Sequence, residues 1–234
     1  MRPLFRIVAL VAVTAAFNLL LYLYVPGAVA SHQNRYAVVT ETTYDDYSAI
    51  LGQIYTGSPG PVPAGTFSNQ TLWAVNSANC SGLSWVESGW TKKGTDPIRL
   101  KFIYKVPSTN SCTYTEELYE SPQSGSYHVH RLEYCSSGCN PLTWSWSVDQ
   151  QLRRTLKVGW SITHYLQAGG EVGGHYTGIG MSGGINTLQY RRASTWYNFY
   201  YADSYRCDYG YSLIWNGSNN ILDWGYNPPG GCPA

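Results

Sequence analysis

Apolar and polar residues alternate with a period of two through much of the second half of this chain. Leu156, Val158, Trp160 and Ile162 fall on one side, with Lys157, Gly159 and Ser161 on the other. That spacing marks a strand buried on one face of an antiparallel sheet. Short β-rich runs of similar texture recur at 71–76, 83–91, 98–106, 127–134, 142–148, 155–163, 187–190, 196–201 and 211–215, with turn residues between them. No helical period of useful length follows residue 55. The pattern predicts an all-β fold, an antiparallel β-sandwich of lectin-like or jelly-roll type over residues 67–234.

The start of the chain reads differently. Tyr47, Ile50, Leu51 and Ile54 form one stripe within 44–55 and predict a short helix. The run Gly57-Ser-Pro-Gly-Pro-Val-Pro-Ala-Gly65 excludes helix or central strand. Residues 31–66 are therefore expected to be an N-terminal extension and linker. Ahead of them, Met1, Arg2 and Arg6 precede an apolar run from Ile7 to Val25, then Pro26-Gly27 and Ala28-Val29-Ala30. This is the order of a signal peptide, residues 1–30, cleaved after Ala30. The apolar run approaches the length of one membrane crossing, so a single uncleaved N-terminal anchor is the alternative. Either way the chain from Ser31 onward is expected to be extracellular.

Charge adds exclusions. Charged residues make up only 12% of the chain, about half the usual share. Loss of Arg2 and Arg6 with the leader leaves 13 basic against 14 acidic residues. Such a balance offers no electrostatic footprint for nucleic acid or an anionic membrane surface. Six cysteines, Cys80, Cys112, Cys135, Cys139, Cys207 and Cys232, all lie beyond the leader. An even count in an exported chain reads as three disulfides, and chain proximity favours Cys80–Cys112, Cys135–Cys139 and Cys207–Cys232. No metal is expected, because Cys135-x-x-x-Cys139 has no second ligand pair of matching spacing. His128 and His130 are two apart and share a strand face, but no third ligand accompanies them, and they read as exposed strand histidines. The glycine pairs do not follow a strand-to-helix pattern that would cradle phosphate, and no nucleophile-elbow spacing is present.

Two carboxylates stand out within otherwise apolar strands. In Leu83-Ser-Trp-Val-Glu-Ser-Gly-Trp90, alternation sets Trp85, Glu87 and Gly89 on one face and Val86 and Trp90 on the other. Glu171 follows Gly169-Gly170, glycines that let a neighbouring chain approach closely. A carboxylate on an aromatic sheet face is partly desolvated, which raises its pKa toward the range an acid catalyst needs.

The segments Gln70-Thr-Leu-Trp-Ala-Val-Asn76 and Ser84-Trp-Val-Glu-Ser-Gly-Trp90 resemble the first catalytic-glutamate region of the neprosin family of secreted glutamic peptidases. Gly169-Gly-Glu-Val172 with His175-Tyr-Thr-Gly-Ile-Gly-Met-Ser-Gly183 resembles its second, and Trp224-Gly-Tyr…Gly231-Cys-Pro233 echoes its ending. The resemblance spans roughly residues 70–234. It implies a lectin-like antiparallel sandwich and a catalytic pair, Glu87 and Glu171, with no cofactor. Gln70, Trp73, Trp85 and His175, in the same segments, are the candidate substrate-binding residues. Plant members carry a large N-terminal activation domain, whereas here only residues 31–66 stand in its place.

The expected substrate is a polypeptide, cleaved by water that one glutamate activates while the other polarises the carbonyl. Two rival readings remain open at this point. A Tyr-, Trp- and Gly-rich sandwich with two strand glutamates also describes glycoside hydrolases, which need exposed rings beside both carboxyls. A non-enzymatic lectin-like module binding extracellular glycan would need neither glutamate.

Overall fold

The computed structural model describes residues 34–44, 46–57, 62–77, 84–105, 114–173, 182–199, 204–208, 210–217, 221–226 and 232. Strands β1 to β15, numbered along the chain, form two antiparallel sheets, and no helix occurs among the described residues. The first sheet runs, in spatial order, β13 (Ser204–Cys207), β1 (Arg35–Glu41), β10 (Tyr165–Gly173), β3 (Phe67–Ser77), β4 (Ser84–Lys93), β5 (Arg99–Lys105) and β6 (Thr115–Leu118). The second runs β14 (Tyr211–Asn216), β15 (Ile221–Tyr226), β11 (Ser182–Arg192), β2 (Tyr47–Thr56), β7 (Ser126–Tyr134), β8 (Thr143–Val148) and β9 (Gln151–Lys157), with β12 (Thr195–Asn198) also paired to β11.

Alternation decides which side chains enter the space between the sheets. Leu72, Ala74, Val86, Trp90 and Phe102 from the first sheet join Ile50, Ile54, Leu132, Trp146 and Ile185 from the second in one buried cluster. The rings of Phe102 and Trp146 stack across it with centroids 5.2 Å apart. Burying each large side chain contributes about 1.5–3 kcal/mol, so this layer dominates stability. The opposite face of the first sheet is also buried. Tyr36, Val38, Trp73, Val75, Trp85 and Ile103 form a second cluster there.

The sandwich therefore begins well before residue 67. Strands β1 and β2, within the segment expected to be an extension, sit inside the two sheets. The helix expected over 44–55 is instead strand β2, paired to β11 on one side and β7 on the other. The apolar stripe misled because Gly52 fills the inward slot between Ile50 and Ile54. A Cβ there would approach Ile185 to 2.9 Å and Leu72 to 3.2 Å. Close sheet packing thus needs a glycine at the position where alternation would have shown an apolar residue. The strand expected over 155–163 stops at Lys157, and Gly159 turns the chain with φ of 90°. Val158 and Trp160 remain buried beyond it.

The disulfides Cys135–Cys139 and Cys207–Cys232 form as expected. The leader, Cys80 and Cys112 lie outside the described residues. The expectation of exposed strand histidines fails for His130, which is fully buried between the sheets.

Candidate functional site

Strand β3 separates the two glutamates. Glu87 on β4 faces Trp73 across the ladder, and Glu171 on β10 faces Asn69. Asn69, Thr71 and Trp73 alternate onto the same face of β3, away from the inter-sheet core. Both carboxyls are thus delivered to one surface, with the short side chains of Asn69 and Thr71 between them. Their burial is nearly complete, at 0% exposure for Glu87 and 3% for Glu171.

Local packing explains why β10 carries its glycines. A Cβ on Gly170 would come within 2.2 Å of the Trp224 indole, so that ring can close over the inner side of the strand only if glycine is present. The outward neighbour, Glu171, is held by three neutral donors. Asn34 Nδ2 donates to its Oε1 at 2.8 Å, Tyr36 OH to the same oxygen at 2.9 Å, and Asn69 Nδ2 to Oε2 at 2.9 Å.

Glu87 is held differently. Lys101 Nζ forms an ion pair with Glu87 Oε1, and both side chains are inaccessible to solvent. Thr71 Oγ1 lies 3.1 Å from the same oxygen. The other oxygen, Oε2, is buried and has no hydrogen-bond partner among the described residues.

Electrostatics follow from this arrangement. Burial pushes the Glu171 carboxyl above the usual carboxylate range, and the charge of Glu87 pushes it further. Lys101 and the hydrogen bonds from Asn69 and Tyr36 pull in the opposite direction without cancelling the rise. Burial, followed by the charge of Glu171, raises the Tyr36 phenol far above its ordinary value, so it remains a donor.

Glu87 and Glu171 share a cavity of about 30 Å³ with Phe67, Asn69, Trp85, Ile103, Tyr114 and the ion pair Lys93–Glu116. That is room for one or two water molecules. An open groove of about 500 Å³, lined by 62, 64–67 and 93–96, adjoins it and shares Phe67 and Lys93. The arrangement can hold a water between two carboxyls of unequal environment, with an open groove beside it.

Of the candidate binding residues, Trp85 lines the cavity and Trp73 lies on the same face. Gln70 does not join them. Alternation turns it into the space between the sheets, where Nε2 donates to the Gly184 carbonyl at 2.5 Å. His175 lies outside the described residues. Sequence reasoning missed Lys101, Asn69, Thr71, Tyr36 and Asn34. Only Lys101 had a local signal, as a lysine on the same strand face as Ile103 in an apolar run. No group of three or more His, Cys, Asp or Glu residues suited to a metal occurs among the described residues.

No protein-family model matches this sequence, and no curated protein does. Solved structures do share the fold. Scytalido-glutamic peptidase bound to a peptide-based transition-state analogue matches with a TM-score of 0.56 at 7% identity, over 84% of this chain and 99% of that one. SCP-B, a member of the eqolisin family of peptidases in complex with the tripeptide Ala-Ile-His, matches with a TM-score of 0.52 at 8% identity and the same coverage. At these identities the likeness is one of fold alone, an antiparallel β-sandwich shared with these two peptidases.

Proposed function

We propose that this protein is a secreted glutamic peptidase of the two-glutamate, neprosin-like kind, cleaving polypeptides with Glu87 and Glu171. One observation carries the reading: two carboxyls more than 95% buried, coupled through their charges, line one water-sized cavity. Buried groups of this kind are costly for folding and cluster at catalytic sites. The glutamic-peptidase fold supports it, and the described disulfides suit an exported protein.

In the reaction, the ionised glutamate takes a proton from water as the oxygen attacks the scissile carbonyl carbon. The protonated glutamate gives its proton to the carbonyl oxygen, forming a tetrahedral diol. Collapse of the diol breaks the C–N bond. The first glutamate passes its proton to the leaving nitrogen, while the diol hydroxyl returns one to the second. The substrate chain lies in the groove and reaches the pair past Phe67 and Lys93.

Activity requires one proton on the pair and is therefore highest in acid. The test is digestion of a denatured protein from about pH 2.5 to 7, comparing the mature chain with Glu87→Gln and Glu171→Gln. Acid cleavage lost in both variants establishes the reading. A folded wild-type protein that cleaves nothing overturns it.

A further inference from the structure

The two glutamates are held by chemically different partners, and the difference separates their roles. Glu87 Oε1 meets an ammonium group, with neither side chain reached by solvent. Among the described residues, Glu171 accepts hydrogen bonds from an amide, a phenol and a second amide, all neutral. In a poorly screened interior, contact with a full charge outweighs neutral hydrogen bonds. When the pair holds one proton, that proton belongs on Glu171.

We infer that Lys101 is a positioning residue whose ammonium fixes Glu87 as the carboxylate that deprotonates the attacking water and leaves Glu171 as the acid. This rests on the two-glutamate reading of the site. Two unpartnered atoms fit it. Glu87 Oε2 is a buried acceptor without a hydrogen-bond partner among the described residues, in a residue that lines the water-sized cavity. Asn69 Oδ1 is also without a partner among the described residues. Turning that carboxamide over sets Oδ1 against Glu171 Oε2, where it accepts the proton of a carboxylic acid. Register supplies the geometry. Glu87 stands opposite Ile103 on β5, so Lys101 is its diagonal neighbour on the same face, within reach of a long side chain.

Infrared difference spectra of the carboxyl C=O stretch test the assignment without any substrate. At a pH where the wild-type pair holds one proton, the protonated-acid band of wild type should vanish in Glu171→Gln. It should reappear in Glu171→Gln/Lys101→Met, where Glu87 has lost its cation, and stay absent in Glu171→Gln/Lys101→Arg. A band retained in Glu171→Gln, or no band on removing Lys101, overturns the inference even if the peptidase reading stands. The kinetic counterpart is Lys101→Met, whose folding is checked by near-ultraviolet circular dichroism. Its kcat/KM should fall about 100-fold. The alkaline limb of its pH profile should move upward, because Lys101 holds the Glu171 carboxyl down. Lys101→Arg should restore the limb. A uniform fall with an unmoved limb would leave Lys101 merely structural and also overturn the inference.

Discussion

Tyr36 and Glu171 are bonded side by side on neighbouring strands, with the phenol donating to Oε1 at 2.9 Å. The register pairs them directly across β1 and β10. The first strand of the sandwich thereby anchors the group assigned as the acid. Tyr36→Phe removes this donor while Asn34 and Asn69 remain. The lost hydrogen bond had opposed the rise of the Glu171 carboxyl. The alkaline limb of activity should therefore move upward, with kcat/KM about 10-fold lower and stability about 1–2 kcal/mol lower. A pH–rate profile and a denaturant melt check both.

The ion pair between Lys101 and Glu87 has a stability consequence separable from catalysis. Neither side chain is exposed. Breaking a buried pair from one side leaves an uncompensated charge, and Lys101→Met should destabilise the fold by about 3–5 kcal/mol. Adding Glu87→Gln removes the orphaned charge and should recover most of that loss. A double-mutant cycle by urea unfolding measures the coupling. Additive single effects would contradict direct contact.

Much of this architecture was legible in the sequence because the inward residues of β5 and β8 keep strict alternation. Strand β2 was not legible, since Gly52 interrupts its inward row where Ile185 and Leu72 press close. Strand β10 was obscured for a related reason. Its Ala168-Gly169-Gly170 run looks like a turn, yet Gly170 is small because Trp224 covers it. The glutamates could be picked out as charges in apolar runs. Their partners could not, because Asn34, Tyr36 and Asn69 reach Glu171 only through pairings 102 to 137 residues apart in sequence. Local pattern carries no information about contacts made at that range.

Gln70 illustrates the limit and yields a prediction. It lies in a segment that resembles a catalytic region, but its amide bridges the two sheets to the Gly184 carbonyl. Gln70→Ala should lower stability by about 1–3 kcal/mol by leaving a buried carbonyl unpaired. Activity per folded molecule should stay within about twofold, since the side chain lies on the opposite face from the glutamates. Thermal melts and active-site-normalised kinetics separate the two effects. A selective rise in KM would return Gln70 to the substrate site.

His130 makes the fold less stable in acid. Its ring lies between the sheets with Nδ1 2.8 Å from Ser88 Oγ, and it is fully buried. Burial, aided by the neighbouring His128, lowers its pKa from 6.5 to about 3. The folded protein therefore keeps the ring neutral where the unfolded chain would protonate it. Because the folded value is depressed, the stability from this group is fully present above about pH 6.5. It is lost progressively as pH falls toward about 3, since the unfolded state binds the extra proton over that window. Each pH unit within the window removes about 1.4 kcal/mol. The core thus carries a residue that opposes folding at the acid pH where the proposed peptidase activity is expected. His130→Gln keeps a partner for Ser88 and cannot titrate. It should lower stability at neutral pH by about 1–2 kcal/mol yet flatten the decline below pH 6.5. Melting temperatures measured across that range in both proteins decide the matter. Parallel slopes would show that the acid loss comes from the carboxyls instead.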